Sequence, residues 1–233
     1  MVLRAVALES CSVSLAMRPE NSGSKLARML GLCSRLNFGM AAQSMQIWSQ
    51  VGSGDVRYYS MMNPAEIRQI PQVVTFQSAA SQFCGLLELD APKPEVWIRE
   101  VLMALSDLYA AANKLSMLEP VDFSEDIPEQ FRIHHDQWTV IYDRISRALP
   151  QTWYLTFFNL TESLDTEQKP VISDLADDLA DIYRDVKPGL RVTESQDDAV
   201  MGAVLFDWQF LFRSHWGDHA VNAMKLLHQL VYS

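Results

Sequence analysis

From residue 73 onward the apolar positions recur every three or four residues, the spacing of helices with one buried face. "VVTFQSAASQFCGLLEL" aligns Val73, Phe76, Ala80, Phe83, Cys84 and Leu87. "APKP" then breaks the chain, and Pro94 suits the first turn of a second helix. Its stripe is Trp97, Val101, Leu102, Leu105, Leu108, Tyr109, Ala112 and Leu115. The polar, proline-punctuated "SMLEPVDFSEDIPEQ" predicts a loop. A third helix is expected from near Pro128 to Pro150, facing inward with Phe131, one of His134 and His135, Trp138, Ile141, Ile145 and Leu149. Leu175, Leu179, Ile182 and Val186 define a fourth, from an N-cap at Ser173 to a stop at Pro188-Gly189. A fifth runs from about Ser195 to Trp216 on Met201, Val204, Leu205, Trp208, Leu211, Phe212 and His215. Gly217 reads as a break, and Asp218 as the cap of a last helix bearing Val221, Met224, Leu227, Leu230 and Val231.

One segment resists this pattern. "TWYLTFFNLTESLDTEQKP" is aromatic and β-branched, which favours extended chain, yet no partner strand is evident. A lone strand leaves backbone groups unpaired, so irregular structure packed by its aromatics is expected. The prediction is an all-α, single-domain bundle of about five to six helices with one irregular aromatic-rich segment.

The first sixty residues do not share the periodicity, apart from a short "SKLARMLGLCSRL". They are rich in Ser, Gly and Met. Arg4, Arg18, Lys25, Arg28, Arg35 and Arg57 against Glu9, Glu20 and Asp55 give a net +3, leaving −13 for the rest of a chain whose total is −10. Residues 1–62 are expected to be a disordered tail, or an extension upstream of a true start at Met61 or Met62. A targeting presequence and a docking tail that folds on a partner are the alternatives. The helical domain is expected over residues 63–233.

Charge and cysteines narrow the function classes. A net charge of −10 supplies no attraction to nucleic acid or to anionic membrane surfaces. No stretch reaches the roughly 18 to 20 unbroken apolar residues of a membrane span. Glu9 interrupts what would be the apolar core of a signal peptide. The three cysteines, Cys11, Cys33 and Cys84, form no C-x-x-C pair. A cytoplasmic location is the default expectation.

Two stretches carry candidate chemistry. Asp177-Asp178-Leu179-Ala180-Asp181 reads D-D-x-x-D, the spelling of a magnesium motif in enzymes that handle isoprenyl diphosphates. Clustered carboxylates hold Mg²⁺ or Mn²⁺. On a helix Asp177 and Asp181 share a face, Asp174 and Asp178 form a second pair, and Asp185 extends the first. No second acidic motif of that spacing accompanies it, which argues against the isoprenyl class. The plainer reading is the wet side of a helix whose leucines face the core. In "SHWGDHAVNAMKLLH", His215 and His219 sit at i,i+4 and would share one metal ion on a continuous helix. Trp216 stands where a zinc protease needs Glu, so that class is excluded. The plainer reading is a helix junction with Trp216 packed and the histidines bonded to backbone or acids. Joining the two stretches gives the sharpest candidate, a metal site drawn from Asp177, Asp178, Asp181, His215 and His219, for Mg, Mn or Zn. No Glu-x-x-His pair, phosphate loop, G-x-S-x-G elbow or dinucleotide fingerprint is present.

"FQSAASQFCGLLE", "VLMALSDLYAAANKL", "DLADDLADIYRDVKPGL" and "HWGDHAVNAMKLLHQL" together resemble a bacterial family, domain of unknown function 5063, over about residues 73–231. The resemblance implies a small, soluble, mostly helical domain with no assigned activity, and it carries over no catalytic residues. Two functions are therefore expected in competition. One is a protein-interaction or regulatory module that presents Trp153, Tyr154 and Phe157 to a protein partner. The other is a metal-binding protein or metal-dependent hydrolase using the Asp cluster and the histidines.

Overall fold

The computed structural model describes residues 63–90, 93–118, 126–157 and 169–233. The expectations for residues 1–62 lie outside the described residues. Among those described, a one-turn helix α1 (Pro64–Ile67) precedes six longer helices: α2 (Pro71–Glu88), α3 (Pro94–Leu115), α4 (His135–Ala148), α5 (Leu175–Ser195), α6 (Met201–Leu211) and α7 (Gly217–Tyr232). Two short strands, β1 (Trp153–Thr156) and β2 (Val171–Asp174), lie between α4 and α5. None of the described helices is long and apolar enough to cross a membrane.

The periodicity that predicts α2 is the face it buries: Val73, Phe76, Ala80, Phe83, Cys84 and Leu87 are all in the core. The α3 stripe is likewise buried, with Leu102 and Tyr109 at its half-exposed margin. These two helices pack on one another, and α7 packs on α3. The central element is α5, which touches α2, α4, α6 and α7. Being covered on several sides, it buries far more than its leucine stripe, including Asp178 and Asp181.

Four expectations are corrected. First, α5 does not stop at Pro188-Gly189; it continues to Ser195 and ends with Gln196 in the left-handed region (φ 59°). Pro188 removes one helical hydrogen bond, but it is buried, and Gly189 beside it admits the Trp208 indole. That indole donates to the Val186 carbonyl at 3.1 Å, tying α6 to the helix at the proline turn. The N-cap is Asp174, not Ser173; its carboxylate accepts from the Ala176 N–H at 2.9 Å.

Second, Gly217 does not break the chain. Phe212–Trp216 forms a π-turn that joins α6 to α7 without interruption. The Gly217 N–H reaches back five residues to the Phe212 carbonyl, and a Cβ at Gly217 would overlap that oxygen. Glycine is what lets the wider turn close, so the residue that reads as a terminator is the one that permits continuity.

Third, the aromatic-rich segment is not wholly irregular. β1 pairs antiparallel with β2, with Leu155 opposite Ile172 and Tyr154 opposite Ser173. The partner strand escapes the sequence pattern because it is the four residues running directly into α5. Alternation then sorts the side chains: Tyr154 and Thr156 turn toward the bundle, whereas Trp153, Leu155 and Ile172 are exposed at 60%, 64% and 71%. Fourth, α4 starts at His135 after a 3₁₀ turn at Glu129–Phe131, and both His134 and His135 are exposed.

Two glycine substitutions of opposite sign test this packing. Gly85 in α2 has open space where a Cβ would sit, so Gly85→Ala should stabilise by about 0.5–1 kcal/mol. Gly189→Ala would drive its methyl into the Trp208 ring and should destabilise by about 1–3 kcal/mol. Chemical denaturation of the two variants against the wild type measures both.

Candidate functional site

The acids of α5 and the histidines of α7 and its preceding turn meet along one seam, since α5 packs on both elements. Asp178, Asp181 and Asp185 stand at i, i+3 and i+7 and share the face toward this seam. The wet-face expectation fails for two of them: Asp178 is 4% exposed and Asp181 is 9%. A carboxylate taken from water must be paired or hydrogen-bonded, and each is.

His219 Nδ1 lies 2.6 Å from Asp178 Oδ1. His215 Nδ1 lies 2.6 Å from Asp185 Oδ2. An ionised carboxylate only accepts, so each imidazole directs an Nδ1–H at its acid, and in the neutral ring that leaves Nε2 as the lone-pair nitrogen. Asp181 completes the group. Its Oδ1 accepts from the Trp138 indole N–H at 2.8 Å and pairs with the Arg184 guanidinium at 3.0 Å. Its Oδ2 faces His215 Nε2 at 3.9 Å, beyond hydrogen-bond length. One ligand atom from each of Asp181, His215 and His219 falls within 4.8 Å of the others. The two imidazole rings are 4.7 Å apart and nearly edge-on, at 73°.

The remaining candidates take other places. Asp178 has both oxygens engaged, the second by the Tyr154 hydroxyl at 2.5 Å. Asp177 is half-buried and stands beside the trio without joining it. Burial raises the Asp177 pKa first, and the neighbouring charges of Asp181 and Asp178 add to it, against a smaller opposing pull from His219. For His219, burial disfavours the charged ring, but the Asp178 hydrogen bond and the charges of Asp178, Asp181 and Asp185 outweigh it and raise the pKa. Burial, then the bond to Asp178, pushes the Tyr154 hydroxyl far above the ordinary phenol range.

Several contributors were not among the candidate residues. By spacing Asp185 only extends an acidic row, yet it anchors His215. Trp138 has the spacing of a core residue; its ring instead stacks between His135 and Tyr142, and its N–H serves Asp181. Tyr142 donates to Asp174 at 2.8 Å, so three aromatic donors serve two aspartates of α5 and the one that caps it. The i, i+3, i+7 spacing of the acids was a readable signal. The indole and phenol donors come from elements 24 to 43 residues away and left no local trace.

The comparisons with known proteins fit this architecture. No curated protein matches the chain. Among solved structures, protein BF1032 from Bacteroides fragilis is similar, with a TM-score of 0.59 and 25% sequence identity over 72% of this chain and 96% of that one. The family model for domain of unknown function 5063 matches residues 69–233, which takes in every element that builds the seam. The chain belongs to that family.

Proposed function

We propose that the seam between α5 and α7 is a divalent transition-metal site formed by Asp181 Oδ2, His215 Nε2 and His219 Nε2. The observation that carries this reading is the anchoring of both Nδ1 atoms by carboxylates. Metal-binding imidazoles are held in this way, with the far nitrogen bonded to an acid and the near one free. The charge balance points the same way: Asp177, Asp178, Asp181 and Asp185 crowd the seam, and among the described residues Arg184 is the one permanent cation paired to them there. Two imidazoles and one carboxylate suit Zn²⁺, Mn²⁺ or Fe²⁺ and are a poor shell for Mg²⁺, which prefers oxygen ligands.

Three protein ligands leave coordination positions open, the arrangement of catalytic rather than structural sites. A bound ion would supply Lewis acidity toward a water or a substrate oxygen, so metal-dependent hydrolysis is the reaction class that fits. The surrounding carboxylates disfavour polyanionic substrates, because a divalent ion offsets only part of their charge. Asp178 and Asp185 serve as orienting groups, and Trp138 with Arg184 holds Asp181 by one oxygen so that the other is presented.

A second reading, the interaction module, is favoured by the outer face of the β1–β2 ribbon. Trp153, Leu155, Phe157 and Ile172 are all exposed there. The occupant that fits is a second copy of the chain. This face carries no charge among those four side chains, so it is where an acidic molecule meets itself without repulsion.

Titration of the metal-free protein with Zn²⁺ should show one ion per chain and a rise in unfolding temperature. Saturation at about 100 times Kd corresponds to about 2.7 kcal/mol of stabilisation. Asp181→Ala and His219→Ala should abolish binding, and Asp178→Asn should weaken it about 10- to 100-fold. Equal zinc binding by the wild type and His219→Ala would overturn the metal reading. For the ribbon, sedimentation equilibrium should show a dimer that Trp153→Ser with Leu155→Ser converts to monomer. A wild type monomeric at high protein concentration would remove that reading.

A further inference from the structure

The ribbon and the proposed metal seam are joined by one hydrogen-bond chain. Tyr154 Oη donates to Asp178 Oδ2 at 2.5 Å, and Asp178 Oδ1 holds His219 Nδ1 at 2.6 Å. A second contact lies one turn along α7 from His219, where Thr156 Oγ1 meets Asn222 Oδ1 at 3.2 Å. The ribbon's inner face is thus latched to the helices that carry Asp181 and His219, α5 through Asp178 and α7 through Asn222. The latch is anchored in the backbone as well, because the Leu175 N–H donates to the Thr152 carbonyl at 2.8 Å, where β2 passes into α5.

Asp178 is the pivot. It is almost fully buried, and its two oxygens face two different elements. With Tyr154 in place, the carboxylate is fixed in one orientation, and so is the imidazole that hangs from it. With the ribbon lifted, Oδ2 loses its donor, and a buried acceptor without a partner must turn or draw in water. Either movement shifts the oxygen that orients His219. The ring would then have to be positioned when the metal binds rather than beforehand.

We propose that Tyr154 is a positioning residue that couples the docking of the β1–β2 ribbon to the occupancy of the Asp181–His215–His219 site. This rests on the metal reading above and adds regulation to it. Coupling between two binding events is reciprocal. If a latched ribbon tightens the site, an occupied site must tighten the ribbon by the same factor. Whatever engages the ribbon's apolar outer face then acts on the metal site through Tyr154.

The test uses the full-length protein and Zn²⁺ alone. Zinc affinity is measured by chelator competition for the wild type and Tyr154→Phe, and amide hydrogen exchange of residues 153–156 is followed with and without Zn²⁺. Tyr154→Phe should weaken zinc binding about tenfold, the low end for loss of an outer-shell partner. Zinc should slow exchange of the β1 amides in the wild type by a comparable factor, and this protection should be absent in Tyr154→Phe. A merely structural tyrosine would lower the unfolding temperature and leave the zinc-dependent protection intact. Unchanged zinc affinity in the variant, or β1 exchange indifferent to zinc in the wild type, would overturn the coupling while leaving the metal site standing. Absence of zinc binding to the wild type would overturn both. The wild-type exchange experiment decides the matter even if Tyr154→Phe does not fold.

Discussion

Carboxylates buried in a helical bundle must be paired, and the organisation of this molecule around α5 follows from that constraint. Asp178 and Asp181 are almost fully buried, and burying a charge without partners costs several kcal/mol per ion. Each is accordingly met from two directions: Asp178 by Tyr154 and His219, and Asp181 by Trp138 and Arg184, with His215 alongside. Besides Arg184 of α5 itself, the partners come from α4, the ribbon, α7 and the turn that leads into it. Satisfying the acids therefore fixes the positions of elements that hydrophobic burial alone would leave free to slide. Leu175, Leu179, Ile182 and Val186 hold α5 in the core, and the aspartates decide which neighbours sit on its other side.

The helices and their core faces were legible because burial on one side of a helix writes a period into the sequence. The α2 stripe and the α5 leucine row are buried as the spacing implies. What was not legible depends on contacts between distant residues. A strand of four residues has too little length to show a period, and β2 is hidden at the threshold of α5. The π-turn at Phe212–Trp216 exists because Gly217 lacks a Cβ at the Phe212 carbonyl, which local punctuation rules read as a break. Pro188 misleads in the same way, since tertiary packing around Trp208 carries the helix through it.

The candidate site was partly legible. Asp181, His215 and His219 were among the candidates and have ligand atoms within 4.8 Å of one another. The D-D-x-x-D spelling falls on the segment that meets the histidines, but its spacing is not the one that meets them. Its phase suggested that Asp177 and Asp181 act together, whereas the seam uses the i, i+3, i+7 row of Asp178, Asp181 and Asp185, two of them as orienting groups for histidines forty-one and thirty residues away. Nothing in the sequence marked which acid would hold a histidine and which would keep an oxygen facing one at longer range, because that depends on which oxygen is already engaged.

In the proposed site two imidazoles present Nε2 to a point shared with one Asp181 oxygen. X-ray absorption at the zinc edge of the zinc-loaded protein tests this most directly. Two imidazole nitrogens and one carboxylate oxygen are expected at about 2.0–2.2 Å, with any remaining ligands from water. A shell of oxygen ligands alone, or a spectrum unchanged when both His215 and His219 are replaced, would contradict it.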